Sequence, residues 1–257
     1  MISRNQFKLV NSLRLQKFRL EEGLFIAEGV KLVDELLASK FQISQIFATA
    51  AWINDRHIPQ NRYLVEIIEI SQAELERLSS LSTPNQVIAL AKLPVASTIP
   101  DITGEWVLAL DQIRDPGNLG TIIRTADWFG FNRIIAAHGS VDMWNPKVVQ
   151  ASMGSVFRMP VHYSDISVFL STLSGKITVY GTLLEGESLM DARFGNGGVV
   201  VIGNESHGIS ETIKPFITTK ITIPAASSGS VGRAESLNAS IATAIICYEI
   251  RKQCPDG

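Results

Sequence analysis

Apolar and polar positions along the chain follow two different periods, and the switching between them predicts the architecture. Short runs dominated by apolar residues recur at Leu24–Ala27, Ile43–Ala48, Leu64–Ile70 and Val87–Leu93, then at Trp106–Leu110, Arg133–Ala137, Ile177–Leu183, Val199–Ile202 and Lys220–Ile223. These are the lengths of buried strands. Helical spacing fills the gaps: Gly29–Ser39, a helix ending at Leu78, one that follows the tight polar turn Asp115-Pro116-Gly117-Asn118 and stops at Gly130, Pro146–Met153, Asp165–Leu173, a helix near Ser210–Phe216, and the closing helix Ser236–Lys252. Ser155–Tyr163 reads as extended. Local chemistry supports several boundaries. Ser71-Gln72-Ala73-Glu74 is a capping box, in which Ser and Glu each satisfy a free backbone donor. Gly130 suits the left-handed residue that ends a helix. Strands alternating with helices predict an α/β fold, and strands apolar on both faces predict a parallel sheet in the second half.

Length and composition narrow this picture. At 257 residues the chain exceeds the usual single domain. Pro94–Gly104, with two prolines and few large apolar residues, is the natural linker, giving domains at 1–97 and 104–257. A 46% apolar content supports a real core. Net charge is −2, so contact with a nucleic acid needs a local patch. The first twenty residues supply one, with Arg4, Lys8, Arg14, Lys17 and Arg19 and no acid, on a helix striped by Phe7, Leu9, Val10 and Leu13. That face is either solvated or phosphate-contacting. Two cysteines without a CxxC fit a reducing compartment. With no signal-like start and no run near the ~20 apolar residues of a membrane span, a cytoplasmic protein is expected.

Candidate chemistry sits where loops follow buried strands, because ligands of open parallel sheets bind there. Three junctions qualify: Asn118 with Arg124, the loop Gly203-Asn204-Glu205-Ser206-His207-Gly208, and Ser236-Leu237-Asn238. Each also has a plain structural reading, as an Asx-turn, a glycine turn and a helix cap. Arg124 reads as lying among Ile122, Ile123 and Ala126, where a cation is costly unless something anionic meets it. No GxGxxG opens either half, and P-loop and GxSxG motifs are missing. The four histidines lack metal-ligand spacing, so no metal is expected. His207 is either a polar edge or a ligand contact.

Together these segments resemble the three motifs of the SpoU family of RNA ribose 2′-O-methyltransferases, within the SPOUT superfamily. LDQIRDPGNLGTIIRTADWFG carries the first, IGNESHGIS the second, and IPAASSGSVGRAESLNASIATAI the third. LFIAEGVKLVDELL, around Glu28, resembles the family's N-terminal RNA-binding domain. Two departures are the long Pro224–Ser236 loop and Ala239 in place of valine. The resemblance implies a small N-terminal α/β RNA-binding domain and a C-terminal parallel-sheet domain with a trefoil knot. It implies S-adenosylmethionine held by Gly203, Asn204, Gly208, Ile223, Leu237 and the strand end near Thr182. It assigns catalysis to Arg124, Asn118, Glu205, Ser236 and Asn238. RNA contact falls to Arg14, Lys17, Arg19 and Glu28. A homodimer is implied, with Leu237, Ile241, Ala244, Ile245 and Tyr248 serving core and interface. Ribosomal RNA is the expected substrate and transfer RNA the second. A non-catalytic assembly factor on the same fold would not demand all five catalytic residues, and missing phosphate fingerprints disfavour a small-molecule enzyme.

Overall fold

A computed structural model describes residues 2–55, 65–95, 98–173, 175–226 and 236–255. The chain forms two compact units, Met1–Val95 with Asp142–Arg158, and Ala96–Val141 with Met159–Gly257.

The first unit contains α1 (Arg4–Ser12), α2 (Gln16–Glu22), β1 (Leu24–Glu28), α3 (Val30–Ala38), β2 (Ile43–Ala48), α4 (Ala50–Asp55), β3 (Glu66–Glu69), α5 (Gln72–Leu78) and β4 (Val87–Lys92). Leu64, expected in the third strand, and residues 96–97 of the expected linker lie outside the described residues. The sheet order is β1-β4-β2-β3, with β4 antiparallel to both neighbours and β2 parallel to β3. Its core gathers Val10, Leu13, Phe47, Leu75, Leu78, Ile88 and Leu90. The expected capping box at Ser71 and Glu74 is present, and its hydrogen bonds hold the Glu74 carboxyl below its usual range.

Two differences here have physical causes. The single basic N-terminal helix is two helices, because Arg19 turns inward. Only 2% exposed, it donates to the carbonyls of Leu13 (2.8 Å) and Arg14 (3.0 Å), where α1 has run out of partners, and to Asp142 Oδ2 (2.6 Å). Secondly, the division does not fall once at 94–104. Asp142–Arg158, carrying α7 (Pro146–Ser152), packs with the first unit: Trp144 lies 4.4 Å from Phe25 between ring centroids, and Phe157 lies 5.6 Å from Phe41. Arg158 pairs with Glu35 at 2.5 Å.

The second unit is built on β5 (Trp106–Leu110), α6 (Pro116–Trp128), β6 (Arg133–Ala137), β7 (Val161–Ser164), α8 (Ile166–Thr172), β8 (Val179–Ser188), β9 (Gly198–Ile202), β10 (Thr219–Thr222) and α9 (Ala239–Gln253). Six parallel strands run in the order β10-β8-β9-β5-β6-β7. Every residue of β5 and β9 is buried, as expected for central strands covered on both faces. The second half is therefore α/β with a parallel sheet, as its strand pattern predicts.

Three segments depart from expectation. Ser155–Tyr163 is not extended throughout, since a 3-10 turn at Ser155–Phe157 precedes β7. The helix near Ser210–Phe216 shrinks to a 3-10 turn at Lys214–Phe216, because Pro215 has no N–H with which to continue a helical ladder. The closing helix starts at Ala239, three residues late, with Asn238 as its cap. Residues 227–235 of the long loop before it lie outside the described residues. Among the described residues, no helix is long and apolar enough to cross a membrane.

Candidate active site

The site grows from the ends of β5 and β9. These strands pair in parallel with Leu110 opposite Ile202, so the chain leaves both at one edge of the sheet. Asp111, the first residue past β5, donates its N–H to Ile202 O at 2.9 Å. Its carboxylate is buried and accepts from Ser210 N at 2.7 Å. Gln112 takes a left-handed backbone, φ 57°, which presents its carbonyl to Asn204 Nδ2 at 2.8 Å. These two contacts fix the loop after β9 to the loop after β5.

The glycine-bounded loop is closed on itself. Asn204 and Gly208 exchange two backbone hydrogen bonds of 2.9 Å, and Gly208 has φ +67°. A Cβ at Gly203 would lie 2.4 Å from the Gly208 carbonyl carbon. Glycine at 203 therefore serves the loop's own close approach. The Asn204 side chain is also consumed by the fold, its Oδ1 accepting from Ser206 N at 2.9 Å. The loop presents Glu205, Ser206 and His207 outward.

Asn118 joins all three junctions. Asp115 caps α6 by accepting from Asn118 N at 2.8 Å, and Pro116 occupies a position where no donor is needed. This sets the Asn118 side chain to donate to Glu205 Oε1 at 2.7 Å and to accept from Asn238 Nδ2 at 2.9 Å. Asn238 spends its own oxygen on Ser240 N (2.9 Å) and Ile241 N (3.3 Å), capping α9. One residue thus performs the structural and the site role together. Asn118, Glu205 and Asn238 are brought into one cluster from positions up to 120 residues apart.

The other expected residues stand as follows. Arg124 is exposed, not on the apolar face with Ile122, Ile123 and Ala126. Among the described residues neither Arg124 nor Ser236, also exposed, makes a hydrogen bond or ion pair. Thr182 lies inside β8 and donates to Val201 O at 2.9 Å. Beyond Gly181 the β8–β10 register breaks, with Lys220 facing Gly181 and Ile221 facing Glu187. Backbone groups at Gly203, Ile223 and Leu237 make no hydrogen bond among the described residues. Those donors and acceptors, at the ends of β9 and β10 and before α9, suit a ligand held by main chain. Among the described residues no cluster of three or more His, Cys, Asp or Glu could hold a metal ion.

The four residues expected to contact RNA differ in exposure. Arg19 is consumed by Asp142 and two carbonyls, and Glu28, 6% exposed, accepts from Ser79 Oγ, Ser80 N and Ser80 Oγ. Arg14 is exposed while donating to Leu78 O (2.9 Å) and Ser79 O (3.0 Å), and Lys17 is exposed beside Glu21. On α9 the inward face is Thr243, Ile246, Cys247 and Ile250, and burial raises the Cys247 thiol well above its usual range. Ile241 (51% exposed) and Tyr248 (59%), with Leu237 and Ile245, form the outward face, and Trp128 (83%) closes the neighbouring α6.

Sequence reasoning missed Asp111 and Gln112 as positioning residues. The available signal was an aspartate directly after a wholly apolar strand, a polar group with no solvent to turn to.

Comparison with known proteins agrees with this geometry. Residues 105–248 match the SpoU rRNA Methylase family, and residues 4–89 match an MRM3-like substrate binding domain. The chain is 28% identical over 242 residues to the Bacillus subtilis 23S rRNA (guanosine(2553)-2′-O)-methyltransferase RlmP, covering 93% of each chain. It superposes with TM-score 0.87 and 39% identity on a solved Porphyromonas gingivalis protein assigned to the TrmH family of RNA methyltransferases, covering 98% of this chain and 99% of that one. An AdoMet-bound rRNA methyltransferase from Sinorhizobium meliloti gives TM-score 0.81 at 29% identity, covering 98% and 97%. Three junctions joined through Asn118, on a six-stranded parallel sheet whose whole span matches the family, make this chain a member of the SpoU rRNA methylase family.

Proposed function

We propose that this protein methylates a ribose 2′-hydroxyl in ribosomal RNA with S-adenosylmethionine as donor. The observation that carries the reading is the convergence of Asn118, Glu205 and Asn238, together with backbone groups at Gly203, Ile223 and Leu237 that make no hydrogen bond among the described residues. Relatives named for ribosomal RNA 2′-O-methylation, and a neighbour solved with AdoMet, support the substrate and the cofactor.

The donor set fits such a cofactor: main-chain amides and carbonyls at Gly203, Ile223 and Leu237 would hold it without side-chain charge. When bound, S-adenosylmethionine supplies an electrophilic methyl on a sulfonium that leaves without an acid. The chain's own task is to place the hydroxyl in line, and such positioning supplies most of the acceleration. Asn118, itself held by Asn238, fixes Glu205 at the edge of the site. Arg124, exposed and without a partner among the described residues, binds the phosphate next to the target ribose and stabilises the developing alkoxide. A guanidinium is charged at any working pH, so it acts as a cation and not as a base. The Thr182, Asn204 and Gly208 assignments enter this reading as the walls of the cofactor pocket, and Ser236 as a contact to the ribose.

The proposal extends to assembly and compartment. The family's trefoil knot is proposed here on the strength of the parallel-sheet match. A homodimer is proposed because Leu237, Ile241, Ile245, Tyr248 and Trp128 leave an apolar face uncovered on α9 and α6. Two free cysteines, Cys247 and Cys254, support a reducing cytoplasm.

The test is methyl transfer from tritiated S-adenosylmethionine to ribosomal RNA. Arg124→Ala is expected to lower transfer at least ~100-fold, of the order of losing one transition-state donor, with cofactor affinity and melting temperature unchanged. Near-normal transfer by that variant would remove Arg124 from the mechanism.

A further inference from the structure

Methylating a hydroxyl releases its proton, and neither Arg124 nor the two asparagines of the site can take it, since a guanidinium keeps its proton and an amide nitrogen is no base. The nearby carboxylates are engaged: Asp111 accepts from Ser210 N (2.7 Å), Asp115 from Asn118 N (2.8 Å), and Glu205 Oε1 from Asn118 Nδ2 (2.7 Å). Carboxylates are also weaker bases than an imidazole. The loop after β9 carries one imidazole, His207, which has no part in the contacts joining the three junctions.

His207 stands two residues from Glu205, in a loop that Asn204 and Gly208 close with two backbone hydrogen bonds of 2.9 Å. Two residues span at most about 7 Å, so the ring is kept beside the Asn118–Glu205–Asn238 cluster. It is exposed. The other histidines of the second unit stand elsewhere: His138 follows β6 and His162 lies within β7, on the far side of β5 from this loop.

Asn204 sets which nitrogen of the ring is basic. Its Nδ2 donates to Gln112 O at 2.8 Å, and the reversed amide would set two oxygens against each other, so the orientation is fixed. Oδ1 therefore faces back into the loop, accepting from Ser206 N at 2.9 Å and His207 N at 3.3 Å. His207 Nδ1 lies 3.4 Å from the same oxygen. An amide oxygen only accepts, so Nδ1 carries the hydrogen, and in the neutral ring the lone pair is on Nε2.

We propose that His207 Nε2 is the general base that takes the proton of the ribose 2′-hydroxyl. The O–H bond breaks and an N–H bond forms at Nε2; the oxygen's electron pair bonds the methyl carbon, and the carbon–sulfur pair leaves with the sulfur as a thioether. The imidazolium, being exposed, returns its proton to water. Asn204 is then a positioning residue, whose oxygen on Nδ1 holds the tautomer and steadies the charge that develops on the ring. An imidazole titrates near neutral pH, where a base is both free and strong enough to work. The inference rests on the RNA-methylation reading and adds the group that receives the proton.

Two measurements on the full chain test it. The first uses neither RNA nor cofactor: long-range proton–nitrogen correlation of the imidazole rings in protein carrying nitrogen-labelled histidine, assigned by comparison with His207→Gln, at a pH where the ring is neutral. His207 is expected to show a protonated Nδ1 and a bare Nε2. A ring protonated at Nε2 would overturn the proposal. The second is single-turnover methyl transfer from tritiated S-adenosylmethionine to ribosomal RNA. His207→Ala is expected to lower the rate by ~100-fold or more, the usual worth of a general base, with cofactor and RNA affinities unchanged. Added imidazole is expected to recover ~10-fold or more of that loss. A rate close to that of the unmodified protein, or a loss that imidazole does not touch, would overturn the assignment. Failure of the two readings is separable. Transfer that persists in His207→Ala removes the base alone, whereas an unmodified protein that transfers no methyl to ribosomal RNA removes the enzymatic reading and the base with it.

Discussion

Asp111 shows how much of the site depends on a side chain that never meets a substrate. Its carboxylate is buried against Ser210 N at 2.7 Å, and cutting it back to alanine leaves that N–H without an acceptor. Asp111→Ala is expected to cost about 1–3 kcal/mol, read as a lowered melting temperature. Asp111→Asn keeps an acceptor oxygen and is expected to recover most of the loss; equal melting of both variants would show that the contact does not hold the loop. Single residues were legible in the sequence unevenly. Asn118, Glu205 and Asn238 could be found because each sits in a polar loop that follows a buried strand. Arg19 and Glu28 could not, because a charged residue reads as exposed unless its partner is known, and the partner of Arg19 lies 123 positions away at Asp142. A buried pair of that kind is strongly destabilising to break, by about 3–5 kcal/mol, which identifies Arg19 as part of the scaffold.

Among elements, the strands were the most legible and the short helices the least. β5 and β6 lie where their apolar runs place them, since a buried strand of a parallel sheet announces itself by composition alone. Helix starts depend on which of several cap residues wins. Ser236 and Asn238 are both good caps, and Asn238 prevails, with two backbone donors satisfied. The outward face of α9 is a feature that periodicity marked as apolar without saying what covers it. Ile245, on that face and 37% exposed, is the position at which the dimer proposal is best tested. Ile245→Asp is expected to convert a dimer to a monomer in sedimentation velocity while leaving the melting temperature nearly unchanged. A variant that sediments with the unmodified protein would leave the apolar face unexplained by self-association.

At the scale of the whole molecule, the two-part organisation was legible and its boundary was not. Proline and small polar residues at 94–104 mark a linker, but nothing local in Asp142–Arg158 signals that Trp144 and Phe157 find Phe25 and Phe41 in the other half of the sequence. Long-range aromatic packing has no sequence period. The convergence of three junctions was legible only through resemblance, because spacing alone cannot tell which strand ends become neighbours. The β5–β9 pairing is what joins them. The central claim is that this convergence places a methyl donor beside a ribose hydroxyl of ribosomal RNA. The most direct measurement maps 2′-O-methylation across ribosomal RNA, by resistance to alkaline cleavage, before and after incubation of unmodified transcripts with the protein and S-adenosylmethionine. The account predicts protection at a discrete site with the unmodified protein and none with Arg124→Ala. An unchanged cleavage pattern with cofactor demonstrably bound, or a methyl group found on a base, would contradict it.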